Sequence, residues 1–132
     1  EEAGLGGLVR LTGPLPRADA LSLARRADLL LLVETAPSSR LYVRGKLYEY
    51  LAAGGWVLGL VSPGATRDLL EASGHGGSVD PADAAAIEAA FRRLRSGPAL
   101  PHGDPAFDLN RYEHGRLAVE LAGILDDAAR KR

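Results

Sequence analysis

The sequence contains no cysteine and no methionine, and only one tryptophan among its 132 residues. The absence of cysteine excludes a disulfide scaffold and thiolate metal sites, and it fits a reducing compartment. We therefore expect a cytoplasmic protein. The absence of methionine means that no start codon is represented, so we expect the chain to be a processed form or a piece of a longer protein.

Neither sign of charge dominates, because 16 Lys and Arg residues face 17 Asp and Glu residues. The charges are interspersed and form no basic stripe, which argues against a general nucleic-acid binder. No apolar run approaches the roughly eighteen residues of a membrane span, and the beginning lacks a signal-peptide pattern. The three histidines, His75, His102 and His114, are scattered. Because a zinc site needs clustered ligands, we expect no metal.

Short apolar runs alternate with helical stretches, which is the pattern of βαβ units around a parallel sheet. The uninterrupted run 29–33 predicts a strand that is covered on both faces. Asp80 followed by Pro81 predicts a helix start, with the aspartate as N-cap. The expected fold is α/β, with a Rossmann-like parallel sheet of about four strands, flanking helices and a long C-terminal helix. The predicted strands are 8–11, 29–33, 56–61 and 76–79, and the helices are about 17–27, 45–53, 65–72, the stretch after 80, and 109–129.

The chain is long enough for one domain with one core. We expect a flexible leader at residues 1–7, an irregular connection at 96–105 and a C-terminal helix and tail at 107–132. The glycines of the leader precede the first predicted strand, so they form no dinucleotide fingerprint. The last helix has an apolar face with no obvious partner. We predict that this face is buried by self-association or by swapping into a second copy.

The stretch Gly45–Gly54 carries the chemistry of the chain. It follows the loop 34–45, which leaves the most apolar predicted strand at the edge where parallel α/β sheets bind ligands. A helix N-terminus there favours phosphate, and Lys46 adds a formal charge at its first turn. Lys46 and Glu49 fall on one helix face. Since a carboxylate can accept two hydroxyl donors, Glu49 suits the diol of a ribose.

Without further context the same spacing also describes an ordinary surface pair, in which Lys46 and Glu49 satisfy only each other. Arg40 and Arg44 flank the stretch and are further candidates for contact with phosphate.

Other side chains near the strand ends have simpler interpretations. We expect Ser62 and Thr66 to cap the following helix, with contact to a ligand as the alternative. We expect Trp56 to be a core residue at a strand start. We interpret Glu34 as a solvated acid at a strand end, with a catalytic role as the alternative.

The string Gly45-Lys46-Leu47-Tyr48-Glu49-Tyr50-Leu51-Ala52-Ala53-Gly54 resembles the P-x-K-x-x-E-Y-x-A-x-G-x-P-V donor-site motif of GT-B glycosyltransferases of the group 1 (family 4) type. Weaker matches flank it in the same order, and the resemblance covers roughly residues 8–127. It departs at Gly45, where proline or serine is common, and at Gly55-Trp56, which replaces a basic residue and proline. Many members carry a second glutamate eight residues upstream, where this chain has Leu41.

The resemblance implies that Glu49 accepts the ribose hydroxyls of a nucleotide sugar. It also implies that the amides around Gly45 and Lys46 face the diphosphate, with Lys46 adding charge. Arg44, which precedes the motif, is a donor-site candidate by its position. It identifies no catalytic residue in this chain. The whole chain, 1–132, would then be a partial nucleotide-sugar-binding domain from the C-terminal half of a GT-B enzyme.

The function that this resemblance implies is transfer of a sugar from a nucleoside diphosphate sugar to an acceptor, with no metal and no cofactor. The acceptor domain would precede this chain, so we expect the chain alone to be inactive. The resemblance leaves open a peripheral membrane association of the parent enzyme. Two alternatives remain open: a fragment of a GT-B-like sugar-nucleotide epimerase, and a non-catalytic flavodoxin-like α/β interaction module.

Overall fold

The computed structural model describes residue 4 and residues 6–34, 40–96, 100 and 103–131. Parts of the predicted leader, of the loop after the first apolar strand and of the connection 96–105 lie outside the described residues, as do His102 and Arg132. The described chain contains three strands and five α-helices, which alternate as far as the fourth helix. They are α1 Arg17–Arg26, β1 Leu29–Glu34, α2 Gly45–Ala53, β2 Trp56–Val61, α3 Ala65–Ser73, β3 Gly76–Val79, α4 Ala84–Ser96 and α5 His114–Arg130.

The sheet is parallel and its strands lie in the order β1-β2-β3. Leu30 pairs with Val57 across the first ladder, and Val57 pairs with Gly76 across the second. Helices flank this sheet, so the α/β class and the Rossmann-like arrangement are confirmed. The bounds predicted for α2, β2 and β3 are also those observed.

The predicted strand 8–11 does not form, and the described residues contain three strands instead of about four. This segment lies in the open, and Leu8 and Leu11 are both strongly exposed. A strand is stable only when its backbone groups pair with a neighbour. In the described chain β2 pairs with one edge of β1, and no strand lies along its other edge.

The prediction that β1 is covered on both faces is wrong for the described residues. Leu30 and Leu32 are buried, whereas Leu31 is 42% exposed and Val33 is 54% exposed. The buried residues of β1 point to the face that packs against α2 and α3. An apolar run shows that a strand can be covered on both sides, but a covering element must also be present.

The core lies between that face of the sheet and helices α2 and α3. Its members are buried aliphatic side chains from β1, β2, α2 and α3: Leu30, Leu32, Leu47, Leu51, Val57, Val61, Leu69 and Leu70. Two glycines let α3 approach the sheet closely. A Cβ at Gly59 would lie 2.8 Å from Leu70 Cδ2, and one at Gly76 would lie 2.5 Å from Leu70 Cδ1. Leu70 therefore fills the space that both glycines leave.

The fourth helix begins at Ala84, later than the pair Asp80-Pro81 predicts. Asp80 Oδ1 instead accepts a hydrogen bond from the Ala82 amide at 2.8 Å, which closes a turn. Asp83 Oδ1 accepts from the Ala86 amide at 2.8 Å and so takes the capping role. Of the two aspartates, Asp83 and not Asp80 is therefore the one that caps the helix.

The last predicted helix, 109–129, is divided in two. A 3₁₀ turn spans Leu109–Tyr112, and α5 begins after Glu113. Tyr112 fixes the turn to α2, since its ring lies 5.2 Å from that of Tyr48. All residues of α5 are exposed, including its apolar face. Self-association through that face stays a prediction.

A polar link between α3 and β3 makes stability depend on pH. Ser78 Oγ donates to Glu71 Oε1 at 2.6 Å and Arg67 Nε donates to the same oxygen at 2.9 Å. The hydrogen bond from Ser78, and then that from Arg67, lower the pKa of Glu71 from its ordinary 4.5. A lowered folded-state pKa stabilises the protein above the ordinary value, and this stabilisation is lost as pH falls through the folded value.

We predict that Ser78→Ala lowers the free energy of unfolding at pH 7 by at most about 1 kcal/mol, because the site is solvent-screened. The difference from wild type should shrink as the pH falls below 4.5. Urea unfolding at pH 7 and at pH 3 measures it, and Ser96→Ala, at the exposed end of α4, is the control. A difference that stays constant with pH would contradict the link to Glu71.

Candidate functional site

The candidate site lies at the carboxyl edge of the sheet, where β1 ends at Glu34 and β2 ends at Val61. Helices α2 and α3 begin at this edge, at Gly45 and Ala65. Parallel strands joined by helices bring their carboxyl ends and the following helix N-termini together, which is why such edges bind ligands. The residues predicted for the site are therefore placed around two neighbouring helix starts.

Thr66 ties these two helix starts together. Its buried hydroxyl accepts from the Arg44 amide at 3.4 Å and donates to the Tyr42 carbonyl oxygen at 3.3 Å. The N-cap of α3 is Gly64, and no side chain in the described ranges caps this helix. The expectation that Ser62 or Thr66 caps this helix is therefore wrong. The hydroxyl of Thr66 instead forms hydrogen bonds with the backbone of the segment that leads into α2.

Among the described residues, nothing occupies the start of α2. Arg44 is its N-cap residue, and no side-chain hydrogen bond from the described part of the chain caps the helix. A Cβ at Gly45 would meet no heavy atom of a described residue within 4 Å. The first amides of α2, including those of Gly45 and Lys46, therefore keep the positive end of the helix dipole without a capping side chain.

Arg44 also forms the tightest ion pair at this edge. Its Nε lies 2.7 Å from Glu34 Oε1, and its guanidinium lies 5.5 Å from the centre of the Tyr42 ring. The hydrogen bond to Glu34, followed by the electrostatic interaction with Tyr42, raises the pKa of Arg44. Glu34 is only 2% exposed, so its interpretation as a solvated acid is wrong. Its burial accompanies the pairing with Arg44, because a buried carboxylate needs a partner.

Glu49 stands between two cations. Lys46 Nζ lies 3.2 Å from its Oε2, and Arg17 Nη2 lies 3.6 Å from its Oε1. Lys46 also lies over the ring of Tyr50, at 5.3 Å from its centre. The predicted pair of Lys46 and Glu49 on one helix face is therefore observed. These two residues contact each other, but each also has a further contact, so the simpler interpretation, in which they satisfy only each other, does not hold in full.

Arg17 was given no special role by the sequence. It is the first residue of α1, and the end of α1 leads into the start of β1. The N-terminus of α1 therefore lies at the same edge as the carboxyl end of β1. That reasoning from topology is the signal that could have singled it out.

The remaining candidates are more peripheral. Arg40 and Leu41 are exposed. Trp56 begins β2 and is partly buried, and its Nε1 has no hydrogen-bond partner in the described part of the chain. No group of three His, Asp or Glu side chains able to hold a metal occurs within the described ranges. Over the same ranges, no helix has the length and apolarity needed to cross a bilayer.

The geometry offers three kinds of contact within one edge. The open amides of α2 can donate to anionic oxygens, and the cations of Arg44, Lys46 and Arg17 add charge around them. The carboxylate of Glu49 can accept hydroxyl groups. The chain matches no protein-family model, no curated protein and no solved structure.

Proposed function

We propose that this chain binds the nucleoside diphosphate part of a nucleotide sugar and forms the donor-binding part of a GT-B glycosyltransferase. One observation carries the proposal. The Lys46–Glu49 pair lies within the first turns of a helix that no described side chain caps, at the carboxyl edge of a parallel sheet. That arrangement supports the proposal, because a cation able to bind phosphate and a carboxylate able to accept a diol lie one helical turn apart.

The diphosphate is expected in front of α2. Backbone amides that no described side chain caps and the helix dipole attract an anion there, and no described heavy atom lies within 4 Å of the position that a Gly45 Cβ would take. Lys46 and Arg44 belong to the same turn, and their side chains are 50% and 42% exposed. Both can therefore reach a ligand from the solvent side.

The existing contacts of Glu49 do not prevent binding. Its partners Lys46 and Arg17 are both solvent-exposed, and exposed ion pairs contribute little free energy. A ligand can therefore draw the cations towards its phosphates while its ribose hydroxyls replace them on Glu49. The carboxylate keeps two acceptor oxygens throughout.

The chemical step belongs to the complete enzyme. Helix N-termini and cations can stabilise a leaving diphosphate electrostatically, and this chain supplies that part. A sugar-nucleotide epimerase would use the same nucleotide contacts, so it stays an alternative for the parent enzyme. An interaction module would need neither an open helix start nor a carboxylate beside it.

The test compares binding of UDP, GDP and ADP to the wild type and to Glu49→Ala by ligand-observed NMR. We expect the wild type to bind one of them and Glu49→Ala to bind it at least about tenfold more weakly, since hydrogen bonds to a charged acceptor are lost. Glu88→Ala is the matched control, because Glu88 pairs with Arg92 on the surface of α4. It should bind like the wild type.

A second comparison isolates the ribose contact. The wild type should bind the nucleoside diphosphate more tightly than its 2′,3′-dideoxy analogue, and Glu49→Ala should bind the two equally. If the folded wild type, checked by circular dichroism, binds none of the three nucleotides, the proposal is wrong for this chain. If Glu49→Ala lowers the affinity for the nucleoside diphosphate and for its dideoxy analogue by the same factor, Glu49 does not contact the ribose hydroxyls.

A further inference from the structure

Glu34 is a buried carboxylate with one oxygen in use. Its side chain is 1% exposed, and Oε1 accepts from Arg44 Nε at 2.7 Å. Its Oε2 is buried and has no hydrogen-bond partner in the part of the chain that the structure describes. Burying a carboxylate costs free energy of folding, and one ion pair does not fully offset this cost when the second oxygen has no partner. The single bond to Arg44 is therefore the feature that calls for an explanation.

Arg44 is anchored from the protein side at two points. Its amide donates to Thr66 Oγ1, and its Nε donates to Glu34. A guanidinium has five N–H groups in a rigid fork, and the Nε bond uses one of them. Within the described residues neither Nη nitrogen makes a hydrogen bond, and the side chain is 42% exposed. The four remaining N–H groups can meet a ligand at the start of α2.

We propose that Glu34 is a positioning residue: it holds Arg44 by Nε so that the two Nη groups present themselves to the diphosphate. This inference rests on the proposed function, since it names how that site is organised. Glu34 itself does not touch the ligand, because both of its oxygens lie below the surface. Arg44 is the residue that makes the contact.

The arrangement requires arginine and not just a positive charge. Arginine can bond a carboxylate through Nε and an anion through Nη at the same time, whereas lysine has one ammonium at the end of a flexible stem. A lysine at position 44 would be drawn to the buried carboxylate of Glu34 and away from the ligand. The effect of removing Glu34 should therefore have opposite signs with arginine and with lysine at position 44.

The experiment measures affinity for whichever of UDP, GDP and ADP the wild type binds most tightly. We expect Arg44→Lys to weaken binding about tenfold, and Glu34→Ala to weaken it about fivefold, because each removes an oriented charge-assisted contact. The double variant Glu34→Ala with Arg44→Lys should bind more tightly than Arg44→Lys alone. A purely structural role of Glu34 would make the double variant the weakest of all.

Glu34→Gln guards against a folding defect in the alanine variant. Glutamine keeps the size of the side chain and one oxygen that can accept from Nε. With Arg44 present it should bind within about twofold of the wild type, and combined with Arg44→Lys it should restore affinity. Circular dichroism verifies that each variant is folded.

The outcomes separate this inference from the function on which it rests. If the wild type binds and Glu49→Ala does not, but Glu34→Ala matches the wild type with Arg44 in place, the positioning role is wrong and the proposed function stands. The positioning role is also wrong if Glu34 substitutions weaken binding by Arg44→Lys further. If the folded wild type binds no nucleotide, both proposals are overturned.

Discussion

Replacing Leu70 by alanine is expected to lower the free energy of unfolding by about 3 kcal/mol, because it removes a fully buried side chain and leaves a cavity. Leu70 is 0% exposed, and its two Cδ atoms fill the space above Gly59 and Gly76 on neighbouring strands. Neither glycine has a side chain that could expand into the gap. The site can therefore relax only by moving α3 towards the sheet.

The control is Leu125→Ala, the same substitution in a helix but at a residue that is 60% exposed. It should change the free energy of unfolding by less than about 0.5 kcal/mol. Urea unfolding followed by far-UV circular dichroism measures both variants. Equal effects at the two positions would mean that α3 does not pack on the sheet as described.

The elements that the sequence predicts well are those whose limits are set by local chemistry. Helix α2 ends at Gly54, which has φ 80°, a left-handed conformation that glycine adopts readily and that commonly terminates a helix. The apolar run directly after it can only be the next strand, and β2 spans Trp56–Val61 as predicted. Neither inference needs knowledge of distant parts of the chain.

The failures in the sheet concern partners that lie far away in sequence. Residues 8–11 have a strand-like pattern but no neighbour to pair with, so they stay outside the sheet. The alternate residues of β1 are apolar, yet Leu31 and Val33 remain exposed because no helix in the described chain covers them. A pattern states what a segment can bury, and the assembled fold decides whether it does.

The contacts of the candidate site are also of two kinds, local ones that the sequence predicts and long-range ones that it does not. Lys46 and Glu49 are three residues apart on one helix, so their proximity follows from helical geometry alone. Glu34 and Arg44 are ten residues apart across a loop, and Arg17 reaches Glu49 from a different helix. Sequence reasoning placed Glu34 at the correct edge. It could not determine that the carboxylate is buried, because burial depends on how distant parts of the chain pack around it.

Replacing Gly76 by alanine should also destabilise the protein, and it tests the sheet itself. A Cβ at this position would collide with the Val57 carbonyl oxygen and would lie 2.5 Å from Leu70 Cδ1. Leu70 can change rotamer, but the carbonyl belongs to the central strand and cannot turn aside without disturbing the ladder. We therefore expect a loss of about 2–3 kcal/mol, the upper part of the range for overpacking.

Gly123→Ala is the matched control for this substitution. Gly123 lies inside α5, where an added Cβ meets nothing within 4 Å. Alanine is favoured over glycine in a helix by about 0.5–1 kcal/mol, so the helix content should be unchanged or higher. The same added methyl group thus has opposite consequences at two glycines. If Gly76→Ala unfolds at the same urea concentration as the wild type, β2 and β3 cannot lie in the register that pairs Val57 with Gly76, and the approach of α3 to the sheet must be looser than described.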